Sequence, residues 1–235
     1  MQEVIREPAV AGTFYPDDPS ELGTLVDDLL AGASKREGPA PKAIVAPHAG
    51  YVYSGPIAAS AFALLLRHAQ PLSRVVLLGP AHRVRVEGLA GPGATMLRTP
   101  LGDVPVDDAA LRSIGAPASA EAHRREHSLE VELPFLQRVA PRASVVPLVV
   151  GRASADEVAR ALDAVWGGRE TVVVVSSDLS HYLPYDVGRA TDGRTAARVV
   201  ALDDTLVGEE ACGAAPLNGL LRVARRHKMR AELVD

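Results

Sequence analysis

The chain has 235 residues, and because 47% of them are hydrophobic it can bury a sizeable core. Its 25 lysine and arginine residues against 29 aspartate and glutamate residues give a formal net charge of −4, which disfavours nucleic acid as a partner. The single cysteine, Cys212, excludes an internal disulfide. The sequence shows no signal peptide and no apolar run of about 18 residues, so we expect a soluble, cytoplasmic protein with no membrane contact. We also expect a single domain over residues 1–235.

The amino-terminal half predicts helices and strands in alternation. Asp18 and Pro19 have the spacing of an N-cap and a first helical residue, and apolar residues follow at helical spacing as far as Gly32. Short β-branched and aliphatic runs predict buried strands at 43–45 and 75–78. The other predictions are a polar loop at 35–41, a loop or hairpin at 85–98, an edge segment with two prolines at 99–106 and a short helix at 107–114.

The carboxyl-terminal half continues the alternation. Ser128 predicts the N-cap of an apolar-faced helix that Pro134 kinks or delays, and Ser154 with Glu157 has the spacing of a capping box. The remaining predictions are strands at 144–150 and 171–175, helices at 191–201, 205–212 and 216–226, and a closing strand at 229–234. This order predicts an α/β fold, a three-layer sandwich with a mixed, largely parallel sheet.

Histidines follow three of the predicted strands. His48, His82 and His181 each occupy a short loop after a strand, and His127 precedes a helical segment. Parallel strands bring their carboxyl ends to one edge of a sheet, which is where ligands bind in open α/β folds. Imidazole is the commonest metal ligand in proteins and moves protons near neutral pH. The pattern favours a metal or acid–base site, although a single histidine in such a loop is often only structural.

The sequence leaves the remaining ligands open. Two imidazoles and one anionic group leave positions free on a metal ion, as in Fe(II) sites that bind substrate and dioxygen together. Cys212 can supply the anion as a thiolate or can be a small buried hydrophobe. Glu126, Glu130 and Glu132 are alternative ligands, but we expect most of them to face solvent. A thiolate suits copper(I), iron and zinc.

Three further residues are candidates near the predicted edge. Asp178 can orient His181 or can cap a turn. Tyr51 and Tyr53 can line a substrate pocket, and core packing is the alternative for both. The sequence contains neither a phosphate-binding glycine loop nor a nucleophile elbow, which disfavours nucleotide enzymes and serine hydrolases.

Seven short motifs, in order along the chain, resemble those of the Memo family, which in microbes is called the AmmeMemoRadiSam system protein B family. The motifs are PAVAGTFYP at 8–16, APHAGY at 46–51, GPAH at 79–82, TPLG at 99–102, EHSLE at 126–130, SSDLSH at 176–181 and ACG at 211–213. This resemblance implies a fold similar to that of class III extradiol dioxygenases. It also implies that His48, His82 and Cys212 are the metal ligands.

The same resemblance implies functions for the residues around the ion. His127, Asp178 and His181 would line the cavity as acid, base or supporting groups. The implied activity is that of a mononuclear metal-dependent oxidoreductase, dioxygenase-like, which favours iron, accepts copper and suits zinc less well. Its substrate would be an unidentified small molecule.

Two other functions stay open. One is a non-enzymatic module on a degenerate dioxygenase fold that binds a peptide or partner, since animal members of the family bind phosphotyrosine-bearing peptides. The other is a zinc hydrolase, for which no dedicated carboxylate base is evident. The sequence does not define the oligomeric state. Members of the Memo family usually continue with one more strand, so the resemblance implies either that this edge strand is missing or that it lies in a tail beyond Asp235.

Overall fold

A computed structural model describes residues 3–34 and 37–235, so the first two residues of the polar loop predicted at 35–41 lie outside the described part. The strands are β1 (Ile5–Arg6), β2 (Ala43–Ala46), β3 (Arg74–Pro80), β4 (Leu89–Ala90), β5 (Met96–Thr99), β6 (Gly102–Pro105), β7 (Ser144–Val150) and β8 (Thr171–Ser176). The helices are α1 (Pro19–Gly32), α2 (Tyr51–Phe62), α3 (Asp108–Ile114), α4 (Ala120–Arg124), α5 (Leu133–Val139), α6 (Ala155–Val165), α7 (Tyr185–Val200) and α8 (Ala214–Arg226). Short 3-10 helices cover Ala63–Arg67 and Glu130–Glu132.

The central sheet has the strand order β2-β8-β3-β7-β4. Its first four strands are parallel, and β4 pairs antiparallel with β7 at the edge. A second sheet joins β1, β5 and β6, with β6 at an edge, where the two prolines of 99–106 had predicted one. The mixed, largely parallel sheet is therefore confirmed.

Apolar side chains of β3 alternate between two hydrophobic layers. Val75 and Leu77 belong to a cluster with residues of α1, α2 and α5, whereas Val76 and Leu78 belong to a second cluster with residues of α3, α6 and α8. All four side chains are fully buried, and burial of each stabilises the fold by roughly 1.5–3 kcal/mol. Helices thus cover both faces of the sheet, which leaves the loops at its strand ends free to carry a site.

The predicted helix signals at α1 and α6 are confirmed. The carboxylate of Asp18 accepts hydrogen bonds from the backbone N–H groups of Ser20 and Glu21. Ser154 and Glu157 form the reciprocal bonds of a capping box at the start of α6. Local hydrogen-bond chemistry therefore decides both starts.

The helix around Pro134 begins late, as predicted, but Ser128 is not its N-cap. Pro134 lies in the first turn of α5, where its missing N–H costs nothing, and a 3-10 turn precedes it. The hydroxyl of Ser128 instead donates to the carbonyl of Pro80, 2.9 Å away. Ser128 therefore ties the α5 segment to the end of β3.

The prediction of a helix at 205–212 is wrong, because polar side chains hold this segment in turns. The carboxylate of Asp203 accepts from both the N–H and the hydroxyl of Thr205, and Glu210 accepts from the N–H of Val207. Such bonds compete with helical ones. In addition, α7 begins at Tyr185, six residues before the predicted start at 191. The earlier start was missed because this mostly exposed helix carries no apolar stripe that the sequence pattern could reveal.

The closing strand predicted at 229–234 is also absent from the described structure. At the end of α8, Lys228 has a left-handed backbone with φ of 53°, and the N–H of Met229 donates to the carbonyl of Ala224. This six-residue closure ends the helix and turns the chain away. Among the described residues, none of the helices has the length and apolar character needed to cross a membrane.

Replacing Gly219 with alanine is expected to destabilise the protein by about 1–3 kcal/mol. Gly219 lies in α8 where the helix packs against α6, and an added Cβ would lie 2.3 Å from Val158, which is fully buried. Urea unfolding measures the loss. Gly193→Ala in α7 is the matched control, because a Cβ there meets no described atom within 4 Å and alanine favours a helix. Equal stability of the two variants would contradict the prediction.

Candidate metal centre

Three histidine rings lie together at the carboxyl ends of β2 and β3. The ring centroids of His48 and His82 are 5.2 Å apart, and the ring of His127 lies 4.8 Å from that of His82 and 5.4 Å from that of His48. One ligand nitrogen from each ring lies within 4.8 Å of the other two. Since β2, β8 and β3 are adjacent and parallel, His48 and His82 meet as expected, but the third ring of the cluster is His127 and not the strand-end His181. These three residues could hold a metal ion.

Hydrogen bonds fix the orientation of His48, which is 1% exposed. Its Nδ1 lies 2.7 Å from the hydroxyl oxygen of Ser176, and its backbone N–H donates to Asp178. The Ser176 hydroxyl also lies 2.7 Å from Glu132 and 2.6 Å from the carbonyl of Ser128. Because one hydroxyl hydrogen serves one acceptor, this network is satisfied when His48 Nδ1 and Glu132 both donate to Ser176.

The burial of Glu132 supports that assignment. Complete burial raises the pKa of Glu132 well above its ordinary value, which favours the neutral carboxyl group that can donate. With its proton on Nδ1, His48 turns the lone pair of Nε2 towards the neighbouring rings. A supporting hydrogen bond of this kind is typical of histidine metal ligands.

Glu126 fixes the second ring. Its Oε1 accepts from His82 Nδ1 at 2.9 Å, and its Oε2 accepts from the backbone N–H of His82 at 2.6 Å. Burial opposes ionisation of Glu126, but its bonds from His82 and from the N–H of Ser128 outweigh that cost and lower its pKa to about 2. The ionised carboxylate therefore leaves His82 Nε2 facing the site, in a carboxylate–histidine pair.

The third ring contains an unpaired nitrogen. Nδ1 of His127 is buried and has no hydrogen bond to any described residue. It lies 3.4 Å from Oε1 of Glu126, which is already occupied by three N–H donors. Burial lowers the pKa of His127 to about 4, with added repulsion from His48, His82 and Arg83, so the ring is neutral. An unpartnered neutral imidazole beside two oriented ones fits a bound metal ion.

Cys212 brings a sulfur atom to the same place. Its Sγ lies 3.4 Å from His48 Nε2 and accepts from the backbone N–H of Asp178 at 3.3 Å. Burial disfavours the thiolate, but hydrogen bonds from His48 and His82 lower the pKa of Cys212 to about 6, which requires a proton on the ring nitrogen that faces Sγ. A metal ion bound here would take the place of such a proton. The donor set around this point is therefore imidazole nitrogen and thiolate sulfur, which suits a soft or borderline metal ion.

The other predicted site residues lie around this centre or in the core. Oδ2 of Asp178 lies 3.9 Å from His48 Nε2 and 3.6 Å from His181 Nε2, and His181 is partly exposed at the rim. Tyr51 occupies the core, where it packs against Phe135 and its hydroxyl donates to a backbone carbonyl. Tyr53 is 82% exposed, so the proposed substrate contact of Tyr53 stays a prediction.

The expectation that most of the three glutamates face solvent is wrong. Glu126, Glu130 and Glu132 are all at most 2% exposed. Glu130 accepts from the N–H groups of Ala9 and Val10 at the amino-terminal end of the chain, far away in sequence. Buried acids need such donors, and only the folded chain supplies them. The adjacency of Glu126 and His127 was the one local signal that a carboxylate belonged to the site.

Fold and site together define an α/β protein with three histidines and a cysteine at its sheet edge, of which His48, His82 and His127 could hold a metal ion. The family model described as Memo-like protein matches residues 6–232. A MEMO1 family protein of Aquifex aeolicus is 41% identical over 196 residues, which cover 80% of this chain and 72% of the relative. A MEMO1 family protein of Methanopyrus kandleri is 40% identical over 228 residues, which cover 85% and 77%. The chain belongs to the Memo family.

Replacing Glu126 with glutamine is expected to weaken metal binding by about 10- to 100-fold. Glutamine keeps the size, but its amide NH₂ must face an N–H donor of either His82 or Ser128, and a neutral amide oxygen accepts from His82 Nδ1 less strongly than the carboxylate does. The His82 ring is therefore held less firmly. Anaerobic titration with Fe(II) measures the affinity. Glu121→Gln, which changes an exposed carboxylate on α4, is the control and should bind as the wild type does. An unchanged affinity for Glu126→Gln would remove Glu126 from the site.

Proposed function

We propose that this protein is a mononuclear metal-dependent oxidoreductase, similar in fold to class III extradiol dioxygenases, that acts on a small organic substrate. The observation that carries the proposal is the oriented His48 and His82 pair with the Cys212 sulfur 3.4 Å from one of its nitrogens. Two imidazoles and one anion leave positions on an ion for substrate and dioxygen. Family membership supports the same reading.

In this proposal His48, His82 and Cys212 hold the ion, and iron is favoured over copper and zinc. A bound iron or copper ion would supply the electron transfer that lets an organic molecule react with dioxygen. The contribution of the chain is to hold the rings. Ser176 and Glu126 keep each Nδ1 occupied, so that only the Nε2 atoms of the two histidines face the ion.

Three residues are proposed to hold or move protons beside the substrate. His181 is partly exposed, and its Nε2 lies 3.6 Å from Asp178, so this pair can exchange a proton with solvent. His127 is neutral and unpartnered, so its Nδ1 can accept a proton on the buried side of the site or can complete the ligand set. Tyr53, exposed near the start of α2, is proposed to contact the substrate.

The test is reconstitution without oxygen, followed by substrate turnover. Protein loaded in turn with Fe(II), Cu(I) and Zn(II) is mixed with catechols, thiols or ascorbate, and oxygen uptake is compared with that of the free metal ion. We expect uptake above the free-ion rate with iron or copper, and loss of that excess in His48→Ala. If metal binds stoichiometrically but no compound is turned over faster than by the free ion, the alternative of a binding module is favoured.

A further inference from the structure

We propose that the groove beside Cys212 selects an organic oxyanion, a carboxylate or a phosphate-type group, through Arg85 and Arg152. This inference deepens the proposed function, since it names the chemical class of the substrate for the same site. The groove has a volume of about 250 Å³ and is formed by the loop after β3, the end of β7 and the start of α8. Cys212 lies in its lining, so a molecule in the groove reaches the metal centre.

The charges of the groove favour an anion. Arg85 and Arg152 are the cationic side chains of its lining, which contains no carboxylate, although the chain as a whole carries a net charge of −4. Arg152 makes no ion pair with any described residue. Arg85 pairs with Glu87, but both side chains are more than 60% exposed, and such a pair is easily exchanged for a ligand.

The backbone that carries both arginines is fixed before any ligand binds. The N–H of Arg152 donates to the carbonyl of Val86 at 2.8 Å, and the N–H of Gly88 donates to the carbonyl of Arg152 at 3.0 Å. A Cβ on Gly151 would lie 2.0 Å from the carbonyl oxygen of Val86, so only glycine permits this approach. Because the two segments are joined, both arginines stay on one rim, and their backbone needs little ordering on binding.

The size and lining of the groove limit the rest of the ligand. Its volume is below the usual range for drug-sized molecules, and Val84, Ala215 and Pro216 give it apolar walls. Guanidinium groups bind carboxylate and phosphate oxygens through paired N–H donors. The fitting ligand is therefore a small molecule with an oxyanion at one end, held by the arginines, and a short apolar body that extends towards Cys212.

The test compares three probes that share one ring: benzoate, phenylphosphonate and benzyl alcohol. Their binding is followed by NMR titration of the protein as purified and after metal removal. We expect at least one anion to bind at least tenfold more tightly than the alcohol, and the stronger anion identifies the carboxylate or phosphate class. Arg152→Gln and Arg85→Gln should each weaken the anion at least fivefold and leave the alcohol unchanged.

Arg142→Gln is the matched control, since Arg142 is an exposed arginine just before β7, whereas Arg152 follows the same strand. It should bind all three probes as the wild type does. Equal binding of anions and alcohol, or wild-type binding in both groove variants, would overturn the inference. Titration of the metal-free protein separates this result from the proposed function, because the arginine contacts need neither a bound ion nor turnover.

Discussion

Replacing His48 with alanine is expected to lower the affinity for metal by more than about 100-fold. Loss of a residue that only supports a metal ligand lowers the metal affinity by about 10- to 100-fold, and loss of a ligand itself should lower it further. The Nε2 atom of His48 lies 3.4 Å from the sulfur of Cys212, and without the ring Ser176 would lose one of its two hydrogen-bond donors. The effect should exceed that of any change at the rim, such as His181→Ala.

The measurement is metal content and affinity after anaerobic purification, with the fold checked by circular dichroism. His227→Ala is the control, because His227 stacks on Trp166 at the far end of α8, away from the site. Cys212→Ser and His127→Ala, measured in parallel, identify the third ligand by the larger loss. Wild-type affinity in His48→Ala would contradict both the site and the proposed function.

The sequence predicted where His48 and His82 meet, because the topology of the sheet determines it. Once β2, β3 and β8 are parallel neighbours, the loops that follow them must meet at one edge, whatever their side-chain contacts. The strands themselves were predictable from continuous apolar runs, since both faces of the sheet are covered. His48 and His82 could therefore be paired before their geometry was known.

The surroundings of the ligands could not be predicted in the same way. Glu126, Glu130 and Glu132 read as surface acids, because sequence spacing does not reveal which distant N–H groups will meet them. Similarly, residues 205–212 have helical composition, yet Asp203 and Glu210 bind nearby backbone groups and hold turns. In both cases tertiary or local hydrogen bonds override the pattern of apolar residues.

The amino-terminal segment depends on one buried carboxylate. Glu130 accepts from the N–H groups of Ala9 and Val10 at 2.8 and 2.9 Å and from the hydroxyl of Tyr15 at 2.5 Å. It also pairs with Arg6, whose side chain is 9% exposed. The guanidinium of Arg6 donates in turn to the carbonyls of His123 and Glu126. Glu130 thus connects the first strand to the segment that carries His127, a residue of the candidate metal centre.

Replacing Glu130 with alanine is therefore expected to destabilise the protein by about 3–5 kcal/mol, because a buried cation and two N–H groups lose their partner together. Urea unfolding measures the change. Glu130→Gln should lose less, since its amide oxygen still accepts from the segment at Ala9. The control is Glu121→Ala, an exposed acid on α4 whose ion pair with Arg124 is worth less than about 1 kcal/mol. If the free energies of unfolding of Glu130→Ala and of the control differ by less than about 1 kcal/mol, the connection through Glu130 is dispensable. Arg6 would then bind water or another acceptor instead.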